Sequence, residues 1–246
     1  MKLSKLGICG IISLLSYAAM VFISPIAYPG YKWMSMAVSE LSADGAPSQA
    51  LAGQLNCLFG SCGLVSIMAV CVASAGISSK IMRIGIYLFA AMEWVCSAGY
   101  TMFPWDSTAS GLNFQNMMHL IVTALVVLLS IVSLVMIIIG SKREGKVNSQ
   151  ISQSVPLQGT SRTTKKDLGD SVSSLGIWAV VCLVAMLLGA FGTNVFPKAV
   201  FGIFERLSTF SAVVFNPKSR VISTQNVIRD PRPVCRGKDR RAVLSP

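Results

Sequence analysis

The sequence predicts an all-α integral membrane bundle of six transmembrane helices with both termini in the cytoplasm. Three observations carry that reading. Hydrophobic residues make up 53% of the 246 positions and charged residues only 13%, a balance foreign to a soluble domain. The apolar residues gather into six runs, 6–27, 52–77, 84–103, 117–140, 175–193 and 199–215. Each approaches the ~20 residues that cross ~30 Å of hydrocarbon. The positive charges then sort by side. Of 21 Lys and Arg residues, eighteen fall at the two ends and in the gaps 78–83 and 141–174. The remaining three are Lys32, Lys198 and Arg206. Positive charge stays cytoplasmic in short loops, so the alternation orients every span. The same distribution accounts for the net charge of +11 through anionic lipid headgroups, with no nucleic acid as partner.

The first run follows Lys2 and Lys5 and is longer than the 7–15 apolar residues of a signal peptide, so it is expected to stay as a helix. It ends near Pro25. Tyr28-Pro29-Gly30-Tyr31 then forms a turn whose rings, with Trp33, suit the headgroup level. In the loop 28–50, Met34, Val38 and Leu41 fall at helical spacing and predict a short interfacial helix, ended by Asp44-Gly45. Pro47 can open the second span, because a first helical turn needs no N–H there. Tyr100, Phe103 and Trp105 repeat the aromatic pattern at the end of the third span, and Ser110 is positioned to cap the fourth.

The stretch 141–174 is rich in Ser, Thr, Gln and Lys without an apolar period, which predicts a flexible cytoplasmic linker. Residues 1–215 thus form the membrane domain and 216–246 a basic cytoplasmic tail. Small residues at helical spacing, such as Ala185 with Gly189 and Ser208 with Ala212, allow close helix packing. Seven cysteines, none in an outer loop, read as apolar packing residues rather than disulfides.

Polar groups inside apolar spans are the functional pointers, since each is disfavoured by about 2.5–3.5 kcal/mol at a helix centre. The outer half collects Glu40, Asp44, Asp106, His119, Glu205 and Arg206, with Asn56, Glu93 and Gln115 as secondary candidates. Gln115 stands one turn before His119 on the same helical face. These residues can line an outward-facing polar pocket with His119 as proton acceptor or ligand. The alternative is an interfacial His, solvated loop acids and charges that satisfy neighbouring helices. Glu205 and Arg206 are adjacent, about 100° apart on a helix, and so should reach partners elsewhere. Arg206 is expected to meet Glu93 or a loop acid, and Glu205 to accept from His119 or Asn56.

The segments 28–31, 39–47 and 103–106, His119, and Gly202-Ile203-Phe204-Glu205-Arg206-Leu207, in this order, resemble a prokaryotic membrane family, the domain of unknown function 998. The resemblance covers 6–215. It implies a six-helix inner-membrane protein, and it groups Glu40, Asp106, His119, Glu205 and Arg206 in one constellation. Past Asn216 it implies a continuing helix, whereas this chain turns to Pro217-Lys218-Ser219-Arg220. That departure raises the expectation of an altered reading frame after codon 216.

Three functions compete. The first is a non-enzymatic protein that binds or moves a lipid or small solute, with membrane lipids as partners and no cofactor. The second is an intramembrane lipid hydrolase using His119, Asp106 and Glu205 around a metal or water. A single histidine and scattered serines such as Ser39 and Ser42 argue against it, and no metal site is expected. The third is an assembly factor recognised through its linker or tail.

Overall fold

The computed structural model describes residues 7–75, 77, 79–109, 111–154 and 160–229, with side chains omitted for 145–154, 160–171 and 217–229. Seven α-helices account for most of them: α1 (Gly7–Ile23), α2 (Gln49–Asn56), α3 (Phe59–Ser74), α4 (Lys80–Met102), α5 (Phe114–Ser154), α6 (Thr160–Val195) and α7 (Phe201–Arg229). No strand occurs among the described residues; the one β-type contact is an isolated parallel bridge between Asp44 and Asp106. The fold is all-α, as the apolar runs predict. Five stretches are long and apolar enough to cross a membrane: Ile8–Ala27, Gln49–Ser74, Lys80–Met102, Phe114–Glu144 and Val172–Val195.

α1 is helical on one face for packing and on the other for an apolar solvent. Ser13, Ser16, Tyr17, Met20 and Val21 are buried, while Ile8, Ile11, Leu15 and Phe22 are exposed. It tightens into a single 3₁₀ turn over Ser24–Ala27 at Pro25, which has no N–H to continue the α-ladder.

The second predicted span is broken. α2 and α3 are interrupted at Cys57–Leu58, where the Cys57 N–H reaches only the Gln54 carbonyl. α1 compensates for the interruption. Ser16 donates to the Leu55 carbonyl, and Ser13 donates to the Phe59 carbonyl at 2.7 Å, so carbonyls beside the break are satisfied without water.

α5 begins where Asn113 accepts from the Asn116 N–H at 2.7 Å, an N-cap bond. Asn113, not Ser110, is therefore the cap; Ser110 lies outside the described residues. The expected linker 141–174 is helical over 141–154 and 160–174. An established helix needs only propagation, and Lys, Arg, Glu and Gln propagate it well, so polarity here marks exposure rather than coil. α7 likewise runs beyond the expected end at 215 to Arg229. The remainder of the tail, including Cys235, lies outside the described residues; the other six cysteines are free.

The helices form a circuit in which α1 packs on α3, α3 on α4, α4 on α5, α5 on α6, α6 on α7 and α7 back on α1. α3 also touches α7 across the circuit. One half is closed by a large apolar core that joins Ile67, Phe89, Leu134, Ala179 and Phe215 from five helices. At the other end, Tyr17, Met20 and Val21 hold Val38 and Leu41 of the loop and Ala52 of α2. Val38 and Leu41 thus bury the apolar period seen in the sequence, while Met34 is exposed. The loop achieves this with turns and one 3₁₀ turn, Ser39–Ser42, rather than with an interfacial helix.

Close crossings fix the circuit. A Cβ on Gly140 of α5 would stand 2.5 Å from the Met82 backbone nitrogen, and one on Gly189 of α6 would stand 2.6 Å from that of Ser208. Backbone cannot move aside cheaply, so Gly140→Val should destabilise the bundle by about 1–3 kcal/mol, read as a lower unfolding midpoint in mild detergent. Gly53→Ala, whose Cβ meets nothing within 4 Å, should leave the midpoint unchanged or raise it.

Candidate functional site

Glu40, Asp44, Asp106, Gln115, Glu205 and Arg206 lie at the end of the bundle that carries 28–48 and 103–113, in two separate knots. The first ties the two loops to α5. Asp44 donates its N–H to the Trp105 carbonyl at 2.7 Å, and its own carbonyl accepts from the Ser107 N–H and hydroxyl at 3.1 and 2.7 Å. Gly45 turns the chain away with φ +79°, a conformation that favours glycine. The Asp44 carboxylate accepts from Gln49 at 2.8 Å and from Gln115 at 2.9 Å. Gln115 also donates to the Pro104 carbonyl.

Asp106 turns its carboxylate into its own loop. Oδ1 accepts from the Thr108 N–H and hydroxyl at 2.9 and 2.6 Å, and Oδ2 accepts from Asn113 at 2.8 Å. The Thr108 donors, aided by Asn113, hold the carboxyl below the usual range, because they favour its charged form. Asn116 clasps the Asp106 backbone from both sides, accepting its N–H at 2.8 Å and donating to its carbonyl at 3.1 Å. Both acids are therefore occupied by neutral donors and hold loops in register. Sequence reasoning missed the clasp, although Asn113 and Asn116 stand three residues apart at a helix start, a readable capping signal.

One turn further along α5, His119 is 7% exposed. Its Nδ1 lies 2.8 Å from the Phe103 carbonyl. A carbonyl only accepts, so Nδ1 carries a proton and the neutral ring presents Nε2 as an acceptor. Nε2 has no hydrogen-bond partner among the described residues. The ring lies between Tyr100 and Trp105, with centroids at 5.0 and 5.7 Å.

The second knot fastens 28–48 to α7. Arg206 is 3% exposed. Its Nη1 donates to the carbonyls of Trp33, Met36 and Gly202 at 2.8, 3.1 and 2.8 Å, and Nη2 donates to the Tyr31 hydroxyl. The guanidinium also lies 4.3 Å from the Trp33 ring centroid, a cation–π arrangement. Burial pushes the Tyr31 hydroxyl up to about 12, with the adjacent guanidinium pulling against it. Tyr31 in turn donates to the Ala37 carbonyl at 2.8 Å. The Gly202 N–H reaches the Met34 carbonyl at 2.8 Å. Glu40 accepts from the Ala37 N–H at 3.1 Å, and Glu205 Oε2 accepts from the Val38 N–H at 2.7 Å.

Several expected pairings are thereby replaced. Arg206 meets loop carbonyls, not Glu93 or a loop acid, because those carbonyls have no helix or sheet to satisfy them. Glu205 accepts from Val38, not from His119 or Asn56. Glu93, buried in α4, accepts from Asn216 of α7 at 3.1 Å. Asn216 also donates to the Gly63 carbonyl of α3 at 3.3 Å. Asn56 stands at the end of α2, with its Oδ1 buried and without a hydrogen bond. Adjacent Glu205 and Arg206 do seek separate partners, as their 100° offset requires.

Only Oε2 of Glu205 is bonded among the described residues, and the side chain stays partly accessible. Tyr100 donates to Thr123 of α5 at 3.1 Å and faces His119. No group of three or more His, Cys, Asp and Glu side chains able to hold a metal occurs among the described residues.

The family described as protein of unknown function DUF998 matches residues 11–216, and the chain belongs to it. No curated protein and no solved structure matches the chain.

Two outcomes test the knots. Arg206→Lys replaces a planar fork by one point charge, so it should lose about 2–4 kcal/mol of stability and expose the 28–48 segment to protease. Asp106 supplies the pH test. A carboxyl depressed by folding stabilises above its unfolded value near pH 4 and loses that contribution as pH falls through the lower folded value. Trp105 fluorescence should therefore show an acid transition below about pH 4 that Asp106→Asn lacks.

Proposed function

We propose that this DUF998 protein binds, and passes across the bilayer, a lipid or small solute through an outward-facing polar chamber between α1, α4, α5 and α7. In this reading α7 is a sixth span, both termini are cytoplasmic and the protein sits in the inner membrane of a prokaryote. The alternation of Lys and Arg supports that orientation.

One observation carries the function. Two acceptors, Glu205 Oε1 and His119 Nε2, have no partner among the described residues, although their side chains are anchored through their other atoms. Tyr100 lies beside His119. Neither acceptor is among the fully buried unpartnered atoms, so each is open to a water or a ligand donor. The opposite half of the circuit is filled by Phe89, Leu134 and Phe215, and the buried Glu93 carboxylate beside them meets Asn216. A chamber open at one end and sealed at the other is what a binding protein or one state of a carrier needs. The hydrolytic alternative lacks support, since Asp106 faces its own loop and His119 orients on a carbonyl.

Intact mass spectrometry of the purified protein in mild detergent tests the binding. A retained lipid or solute is expected on the wild type, and His119→Ala should reduce its occupancy at least about threefold, as for one lost hydrogen bond. Reporter fusions at Ser42 and Gly159 test the orientation and should report opposite sides of the membrane. Both fusions on the same side would refute the outward-facing chamber.

A further inference from the structure

We infer that Glu93 is a proton-binding site inside the bundle, whose loading and unloading changes how firmly the far end of α7 is held. The inference goes beyond the outward chamber and uses none of its residues. Four helices build the site. The Asn216 amide of α7 donates from Nδ2 to Glu93 Oε1 of α4 at 3.1 Å and to the Gly63 carbonyl of α3 at 3.3 Å. A Cβ on Gly63 would stand 3.1 Å from Ser13 Oγ of α1, 3.5 Å from Glu93 Oε2 and 3.8 Å from Asn216 Nδ2. These are the nearest atoms to that point from other helices, and all three are polar. Ser13, Glu93 and Asn216 are 4%, 8% and 3% exposed. Along α4, Lys80 and Met102 stand about 20 and 14 Å from Glu93 at 1.5 Å per residue. The knot therefore lies at hydrocarbon depth.

No cation meets the carboxylate among the described residues, and Asn216 supplies its one hydrogen bond there. The other titratable groups of the packed helices do not neutralise it. α1 contributes Cys9 and Tyr17, α3 contributes Cys62 and Cys71, and α4 itself carries Cys96. Each of these is neutral or anionic, never cationic. α5 packs along α4 and has no titratable residue from Leu120 to Gly140; His119 precedes that stretch, beside Tyr100. On α7, Glu205 and Arg206 stand about 15 Å or more from Asn216 along the helix, and Arg206 is committed to loop carbonyls and Tyr31. The side chains of Lys218 and Arg220 lie outside the described residues.

Chemistry then separates a proton from other roles. A Gln at this position could accept the same amide bond with no charge to desolvate, so a purely structural knot has no use for a carboxylate. A metal ion asks for converging oxygens, whereas here a donor nitrogen points in, fixed by its bonds to Oε1 and the Gly63 carbonyl. Exchanging the amide nitrogen and oxygen would set an oxygen against both acceptors. Glu93 Oε2 has no hydrogen bond among the described residues and is not among the fully buried unpartnered atoms, so it keeps accessible surface. A proton taken from water forms an O–H bond on Oε2 and returns to water when that bond breaks. Oε1 keeps the Asn216 bond in both states, charge-assisted in the carboxylate and ordinary in the acid. Loading therefore loosens α7, and unloading tightens it.

Infrared difference spectroscopy of the full chain in phosphatidylcholine nanodiscs reads the site. Between acid and alkaline buffers that both leave the fold intact, a carboxylic C=O band should appear and vanish reversibly. Glu93→Gln should remove that band and leave those of the exposed acids. Hydrogen exchange of the α7 amides 207–216, corrected for the intrinsic effect of pH, reads the coupling. Exchange should rise at least about threefold on loading in the wild type. In Glu93→Gln, a permanent stand-in for the acid, it should stay at the loaded level in both buffers. Asn216→Ala should raise exchange in both buffers while the Glu93 band persists, which keeps the test open if Glu93→Gln does not fold.

The assignment is overturned if the Glu93 band is the same in both buffers, if sodium at fixed pH removes it, or if exchange in Glu93→Gln follows pH as in the wild type. It is overturned as well if Lys218→Gln with Arg220→Gln moves the pH at which the band appears, because a paired cation would then govern the carboxyl. None of these outcomes bears on whether the outward chamber retains a lipid or solute.

Discussion

A guanidinium buried at the end of an apolar bundle has to find acceptors, and Arg206 finds them in backbone that has no other way to be satisfied. The segment 28–48 passes over the helix ends with turns and one short 3₁₀ element, so its carbonyls at Trp33 and Met36 lack ladder partners. Arg206 turns Nη1 to both of them, where the chain cannot supply its own donors. Glu205 performs the complementary task and accepts from Val38. Consecutive residues of α7 therefore read opposite polarities of one loop, which is why a charged pair inside an apolar helix is held without a salt bridge between its members. The desolvation of both charges is offset by hydrogen bonds whose loss would leave buried groups unpaired.

The rest of the site inherits its geometry from that attachment. With 28–48 fastened to α7, Asp44 is delivered to Trp105 and Ser107, and the Asp44–Asp106 bridge brings the second loop into register with α5. Asn116 and Gln115 lock the register from the helix side. His119, one turn below, is then aimed by the Phe103 carbonyl at the loop's exit from α4. Asp44, Asp106 and Glu40 hold loop backbone in place, and Glu205 Oε1 and His119 Nε2 are left without a hydrogen-bond partner among the described residues. The same logic recurs at the α2–α3 break, where Ser13 and Ser16 of α1 satisfy carbonyls beside the interruption.

Much of the fold is legible in the residues because hydrocarbon imposes a single length scale. Five of the six predicted runs recur as helices long and apolar enough to cross a membrane, and α1 ends within its predicted range at the Pro25 turn. Two stretches run on as helix where composition alone suggests an end. The polar stretch 141–174 and the residues after 215 lack an apolar period, yet a helix propagates through polar residues once nucleated. The Asn113 cap and the Asn116 clasp were overlooked because neutral amides carry no charge to attract notice.

The amino-acid sequence by itself determined the helical class, the positions of the apolar spans, the end of the bundle at which the acids and the lone histidine gather, and the separate partnering of Glu205 and Arg206. These follow from composition and from helical periodicity, both of which are local. Only the tertiary structure decided which polar groups are already satisfied. That Asp106 is saturated by Thr108 and Asn113, that Arg206 belongs to loop carbonyls, and that Glu93 meets Asn216 rather than a cation are contacts between distant segments. A hydrogen bond depends on direction and on distances of about 3 Å, and no spacing along the chain encodes which loop will arrive at that distance.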